Sequence, residues 1–424
     1  MTRYAIIGFG CAGYHAALEI RRRDPAGAIT VYSAHDLAPY NPMLTTYYVA
    51  GKLPYEGAFP FGSLSEIAAR LRLEIRTGTA VKKVHGGERS VELENGTREV
   101  YDQILIATGA RAFAPPIQGL PPERTFLMRT MADAVHLKAE LEHRPCRSAI
   151  VVGASMVGIK VVELLHARGI RTTLADLAPC IFPLAAYPEV AEEIQRRLTA
   201  QGVELAFQNS ITLVEEQPDG VLRCTLTNGE RRDAELVVLC IGTRANTALV
   251  DPQEIQVGRG IVVDPSMRTS CPGVYAAGDC CEGGDLQAGD TKIIGLWANA
   301  GHQGGTAGLN MAGGRGRFTG NILHNITHFM GMDFIGMGDN RLEGEVLTCG
   351  TLSGGGTYIR SVVDGGRLLG VNILDDYRIS GAVKNYFYRR LTETGATLDP
   401  VQRGILLKEG LRPSFLQRLE EVLP

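Results

Sequence analysis

The sequence predicts an α/β protein in which one strand-turn-helix unit occurs twice and a smaller α+β domain follows. Three observations carry that expectation. An apolar strand that runs straight into a glycine-rich turn and a helix appears at residues 3–13 (RYAIIGFGCAG) and again at 147–158 (RSAIVVGASMVG). Each copy continues into a second strand, ITVYS at 29–33 and TTLAD at 172–176, and later into a three-stranded antiparallel candidate. The 51 glycines in 424 residues fit a chain rich in tight turns and close backbone approaches, and that length implies two or three domains.

The antiparallel segments follow in the same order in both copies. In the first they are TAVKKV, SVELEN and TREV, closed by ILIATG; in the second SITLVEE, VLRCTLTN and RRDAEL, closed by VVLCIG. Asn95-Gly96 and Asn228-Gly229 supply the hairpin turns, because glycine after asparagine suits the positive φ of tight two-residue loops. Duplication of such a unit, each with an added meander, points to two Rossmann-like dinucleotide-binding domains. Residues 243–318 add a further strand (GVYAAGD) and a helix (ANAGHQGGTAGLNMAGG). The last hundred residues read as strands EVLTCG, YIRSVVD and RLLGVNIL, a helix AVKNYFYRRLTET and a final amphipathic helix SFLQRLEEVL, which together form an α+β domain.

Bulk properties exclude several classes. A net charge of -3 and the lack of a basic stripe with interleaved aromatics leave no field for nucleic acid. The segment MTRYAIIGFG lacks the layout of a secretory signal, and no apolar run approaches the ~20 residues of a membrane helix. The expected location is the cytoplasm, with no membrane partner. Nine cysteines contain no CxxC pair, so neither a metal knuckle nor a thioredoxin-type pair is indicated. Cys280-Cys281 reads as two ordinary thiols rather than a strained vicinal disulfide.

Gly8-Phe9-Gly10-Cys11-Ala12-Gly13 is a full GxGxxG between strand and helix. Gly8 permits the tight turn, Gly10 lets backbone approach a pyrophosphate, and Gly13 lets helix and strand pack closely. The second copy, Gly153-Ala154-Ser155-Met156-Val157-Gly158, has serine at the middle glycine, still small enough for a phosphate to come near. Asp176 ends the following strand, where a carboxylate accepts hydrogen bonds from ribose hydroxyls and repels a 2′-phosphate. The residues after it, LAPCIF, offer no arginine to hold such a phosphate, so NADH is favoured over NADPH. In the first copy Ser33, His35 and Asp36 stand at the equivalent place, and Asp36 is taken as the ribose partner.

The ordered set GFGCAG, ATGAR (107–111), GASMVG, IGTRAN (241–246) and GVYAAGDC (273–280) resembles the pyridine-nucleotide-disulfide oxidoreductase superfamily, most of all its ferredoxin, rubredoxin and nitrite-reductase-type flavoprotein reductases. The resemblance implies a glutathione-reductase-like fold. Its expected parts are a discontinuous FAD-binding domain (1–112 and 243–319), an NAD-binding domain (113–242) and a C-terminal interface domain (320–424) that dimerises the chain or caps the flavin. It also implies cofactor contacts. FAD would lie along Gly8, Gly10, Cys11, Ala12 and Gly13, with Ala107, Thr108 and Gly109 at the crossover between domains. Asp279 would bond the ribityl chain and Gly278 would let it pass. NAD(H) would lie along Gly153, Ser155, Met156, Val157, Gly158 and Asp176, with Gly242 after the closing strand.

Departures from the family pattern are informative too. PYNPMLTTYYVAG (39–51) resembles the helix below the flavin, where disulfide-reducing members keep a redox cysteine; here Met43 takes that position. Without a thiolate beside the flavin, disulfide or sulfenate reduction of the usual kind is not expected. Lys160 stands where many relatives carry a glutamate, two residues after the second glycine motif. It is expected either to place positive charge beside the flavin or to be a plain surface lysine. GLWANAGHQG (295–304) resembles the W-x-N-A-x-x-Q-G stretch of oxygenase-coupled ferredoxin reductases. There the indole lies near flavin and nicotinamide, so Trp297 is a catalytic candidate against the alternative of a core tryptophan, and His302 is a further one against a helix-surface histidine. The implied activity is hydride transfer from NADH to FAD and then electron transfer to an iron-sulfur or rubredoxin-type partner. The alternative is direct action on a small organic acceptor or oxygen, as one subunit of a multicomponent enzyme or alone. Asn41 and Thr45-Thr46, which replace the arginine and serine-lysine of the reductases' PYxRPxLSK-like stretch, weigh toward that alternative.

Overall fold

Short strands, the inner ones apolar and buried on nearly every residue, line up in parallel to form two five-stranded sheets in the computed structural model, which describes residues 1–353 and 355–421. Such near-continuous apolar strands suit a parallel sheet covered on both faces. The chain divides into two units, Met1–Arg111 with Thr243–Asn321, and Ala112–Gly242 with Ile322–Pro424.

In the first unit the sheet order is Leu73–Arg76, Ala28–Tyr32, Arg3–Ile7, Gln103–Ile106 and Val274–Ala276, every pair parallel. The chain leaves Arg3–Ile7 toward one neighbour and returns to its other side, so the order switches at that strand. In open parallel sheets this switch creates the crevice in which ligands bind, beyond the strands' C-terminal ends. The meander Val81–His85, Ser90–Leu93 and Arg98–Val100 follows, with Gly96 at φ +81 in the expected hairpin turn.

Helix Trp297–Met311 belongs to this unit and lies against helix Cys11–Arg23 through a row of small residues. A Cβ on Gly304 would sit 2.1 Å from the Ala12 carbonyl oxygen, and one on Gly308 would sit 2.4 Å from that of Ala16. Only glycine lets the two backbones come so close. That closeness brings the start of the later helix beside the first glycine turn.

The second unit repeats the plan. Its sheet runs Glu204–Phe207, Arg171–Asp176, Ser148–Val152, Leu236–Leu239 and Thr125–Leu127, again parallel, with the meander Ile211–Glu216, Leu222–Leu226 and Arg231–Ala234. The C-terminal segment shares this unit and contributes its own antiparallel sheet in the order His324–Phe329, Met332–Gly338, Arg367–Leu374, Tyr358–Asp364 and Glu345–Cys349. The last three of these strands, helix Ser380–Thr392 and helix Pro413–Glu421 were expected; Val422 and Leu423 of the expected final helix lie outside the described residues. Strands His324–Phe329 and Met332–Gly338 and helix Pro400–Lys408 were not expected. Polar bonds tie the segment to the nucleotide domain, among them the Tyr187 amide donating to Asn372 Oδ1 at 2.8 Å and Asn372 Nδ2 donating to the Ala185 carbonyl at 2.8 Å. Among the described residues no helix is long and apolar enough to cross a membrane.

Candidate active site

The first turn is fixed by sterics. Gly8 has φ +96, and a Cβ there would lie 2.3 Å from the carbonyl oxygen of Ala107, on the neighbouring strand's end. Gly13 is pressed against the Gly8 carbonyl, where a Cβ would lie at 2.3 Å. Gly10, the residue before helix Cys11–Arg23, is different: nothing lies within 4 Å of its would-be Cβ, and no side chain caps the helix. The amides of Cys11, Ala12 and Gly13 therefore begin a helix with no acceptor of its own for them and with no acidic residue in its first turn. An open, uncapped helix start of this kind fits the pyrophosphate of a dinucleotide.

The GD motif lies alongside. Gly278, at φ +83, donates its amide to Gln303 Oε1 at 2.8 Å, and a Cβ there would meet Ala12 at 3.2 Å and Ala300 at 3.5 Å. Asp279 is close enough to Cys11 that its charge, after burial, helps push the Cys11 thiol up to about 12. Thr108 and Gly109 are tied to Asn246: Thr108 Oγ1 donates to the Asn246 carbonyl at 2.7 Å, and the Asn246 amide donates to the Gly109 carbonyl at 2.9 Å. Asp36 is exposed past the end of strand Ala28–Tyr32, while Ser33 is buried and turns its hydroxyl to the His35 carbonyl at 2.7 Å.

Trp297 opens its helix and forms the end of an aromatic stack. Its ring lies 5.6 Å from Phe61 at an interplanar angle of 9°, and Phe61 lies 3.9 Å from Tyr14 at 12°. Its carbonyl accepts the Cys11 thiol at 3.3 Å, and its buried Nε1 has no hydrogen-bond partner. A buried donor of this sort, beside a glycine cradle, fits a bound group with acceptor atoms, and the first unit's residues fit FAD in both respects. His302 is exposed on the same helix. Phe61 and Tyr14 were missed in the sequence; nothing local marks a contact between residues that far apart in the chain.

Met43 stands 61% exposed in the turn Pro42–Leu44, followed by buried Thr45 and Thr46. All nine cysteines are free. Cys280 and Cys281 are buried; the Cys280 thiol donates to the carbonyls of Ile106 and Ala277 at 3.4 Å each, and the Cys281 thiol to Gln303 Oε1 at 3.6 Å. Burial pushes the Cys280 thiol up and the Cys281 thiol well up, which disfavours the thiolate at both.

The second turn copies the first in backbone. Gly153, at φ +112, would carry its Cβ 2.4 Å from the Cys240 carbonyl oxygen, and Gly158 would carry one 1.8 Å from that of Gly153. Here Ser155 caps helix Met156–His166: its hydroxyl accepts the Gly158 amide at 3.2 Å and donates to the Cys240 carbonyl at 3.1 Å. Met156 is partly buried and Val157 exposed in the helix's first turn. Asp176 accepts the Ala154 amide at 2.6 Å and the Ala178 amide at 2.8 Å, one on each oxygen. The carboxylate keeps further lone pairs for ribose hydroxyls. Gly242 adopts φ +101 and accepts the Phe113 amide at 2.9 Å.

Lys160 is partly buried. It pairs with Glu163, one turn along its helix, and donates to the His328 carbonyl at 2.8 Å, while Glu163 accepts the Met330 amide at 3.2 Å. The pair thus binds backbone groups of the sheet-edge strand His324–Phe329 and of the turn after it, groups that an edge otherwise leaves open.

Residues 2–304 match the model of the family described as pyridine nucleotide-disulphide oxidoreductase. The chain is 29% identical over 352 residues to the NADH-dependent phenylglyoxylate dehydrogenase subunit epsilon of Aromatoleum evansii, covering 82% of each chain. It is 29% identical over 276 residues to the rubredoxin-NAD(+) reductase of Pseudomonas putida, covering 65% of this chain and 71% of that one. In fold it resembles the NAD-dependent persulfide reductase from A. fulgidus, with a TM-score of 0.85, 23% identity and coverage of 96% and 82%. The chain belongs to the pyridine nucleotide-disulphide oxidoreductase family and is an FAD-dependent NAD(P)H oxidoreductase.

Proposed function

We propose that the protein carries electrons between NADH and an iron-sulfur or rubredoxin-type protein. The observation that carries this reading is the combination of two intact nucleotide turns with Met43, in place of a redox cysteine, in the flavin-side segment. FAD, when bound, takes a pair of electrons as hydride and can release them singly, which is the chemistry needed to link a nicotinamide to a one-electron centre.

The chain's own residues do the holding. The amides at the start of helix Cys11–Arg23 receive the FAD pyrophosphate, Asp279 holds the ribityl chain, and Gly278 leaves room for it. The second turn receives the NADH pyrophosphate, and Asp176, set by the Ala154 and Ala178 amides, takes the adenosine ribose and rejects a 2′-phosphate. The flat stack of Trp297, Phe61 and Tyr14 supplies a rigid apolar face beside the first glycine turn, suited to a flat ring. Lys160 pairs with Glu163 and donates to the His328 carbonyl, which favours a role in tying helix Met156–His166 to strand His324–Phe329 over a charge for the flavin; a normal rate of flavin bleaching by NADH in Lys160→Ala is the expected result.

The test is anaerobic rapid mixing of the FAD-loaded protein with NADH, followed by acceptors. Bleaching of the flavin, with return of colour on adding an oxidised ferredoxin or rubredoxin, is the expected result. Return only with a disulfide or another small organic compound overturns it.

A second reading is favoured by the relative matched over 82% of both chains, which is a subunit of a dehydrogenase. In it the same two sites work in reverse inside a larger complex: electrons released by substrate oxidation on other subunits arrive one at a time and leave on NAD+. We place the protein in the cytoplasm, which nine unpaired thiols support, and as a homodimer through its C-terminal sheet, for which sedimentation is the test.

A further inference from the structure

We infer that the Ser155 hydroxyl sets the second turn's grip on its nucleotide deliberately low, so that the nicotinamide nucleotide exchanges while FAD stays. The inference rests on the reading that the second turn holds NAD(H). The two turns form an internal control, because their backbones agree. Gly10 (φ -92) and Ser155 (φ -94) both precede their helices in extended conformation, and the glycines before them both press on the next strand's last carbonyl, at 2.3 and 2.4 Å. At this position the copies differ in the side chain alone.

That side chain changes what an anion meets. At the first turn the amides of Cys11, Ala12 and Gly13 are all left to a ligand. At the second, the Gly158 amide is already used by Ser155 Oγ, and the hydroxyl's single proton goes to the Cys240 carbonyl. A phosphate arriving there finds two amides instead of three, and beside them a hydroxyl oxygen whose remaining lone pair repels it. Asp176 compensates on the ribose, which selects the nucleotide without tightening the hold on its phosphates. A cosubstrate that leaves in every turnover needs the weaker of two otherwise equal cradles.

The test measures the dissociation constant of NAD+ for the oxidised, FAD-loaded protein by calorimetry, together with the melting temperature. Ser155→Ala and Ser155→Gly free the Gly158 amide and are expected to lower the constant about tenfold, the scale of one hydrogen bond to a charged group. Both also lower the melting temperature, since each removes a helix cap. Ser155→Thr keeps the hydroxyl and returns the dissociation constant toward that of the parent. A merely structural cap shifts melting and leaves the constant alone, so an unchanged or raised constant in Ser155→Ala overturns the inference. Asp176→Ala separates the two levels. If it weakens NAD+ binding while Ser155→Ala does nothing, the grip assignment fails and the site stands; if Asp176→Ala leaves binding intact, the site itself is wrong.

Discussion

The two glycine turns share a backbone and differ in what they leave open. In both, a positive-φ glycine lies so close to the neighbouring strand's carbonyl that no other residue fits, and a second glycine is pinned beneath it. These positions are dictated by how a parallel sheet meets a helix. The residue between them is free of that constraint, and there the copies diverge: Gly10 leaves its helix uncapped, Ser155 caps its own. The residue that ends the second strand diverges as well, with Ser33 buried and turned back on its own backbone and Asp176 holding two amides. Shared sterics make the fold, and the unshared residues decide which dinucleotide stays and which one leaves.

Breaking the shared part is expected to have the largest effect. Gly8→Ala forces a side chain into left-handed backbone and onto the Ala107 carbonyl, costing about 2–5 kcal/mol and emptying the first site, so the protein emerges colourless. Gly153→Ala makes the same clash against Cys240 and is expected to leave a yellow protein that NADH no longer bleaches. If both variants lose colour alike, the two turns are not separate sites.

The next largest effect sharpens the unshared part. Asp176→Ala removes the ribose acceptor and the brace on two amides, and is expected to raise the NADH dissociation constant about 10–100-fold in a fluorescence titration. Adding Leu177→Arg, at a side chain that is 68% exposed, is expected to turn the remaining preference toward NADPH. Trp297→Ala follows. Loss of the ring that stacks on Phe61 is expected to cost about 1–3 kcal/mol in denaturant melts and to slow bleaching by NADH.

The smallest effect expected is none. The Cys11 thiol, pushed up to about 12 chiefly by burial, leaves about one molecule in ten thousand ionised at pH 8. Alkylation of the native protein followed by mass spectrometry is therefore expected to leave Cys11 unlabelled, and rapid labelling contradicts the view that no thiol beside the first turn takes part.

Much of this contrast was legible in the sequence, because steric demands on glycine and the position of Asp176 are local facts. Both meanders announced themselves through Asn-Gly turns. The hairpin joining His324–Phe329 to Met332–Gly338 did not, since its turn places Met330, a residue with a β-carbon and no local polar bond, at φ 48 ahead of Gly331. Helix Pro400–Lys408 does carry a local signal in its sequence: Asp399 caps it, Pro400 starts it, and Gln402 closes the capping box. The Trp297-Phe61-Tyr14 stack and the Lys160-Glu163 hold on Met330 join segments far apart in the chain, and no periodicity encodes them.

The most direct test of the contrast is to gel-filter the purified protein, measure the flavin that stays with it, and titrate it anaerobically with NADH. A yellow protein that keeps its FAD through the column, bleaches with NADH and releases NAD+ on a second passage is the expected result. A protein that cannot be loaded with flavin, or whose bound flavin ignores NADH, contradicts the assignment of the two turns.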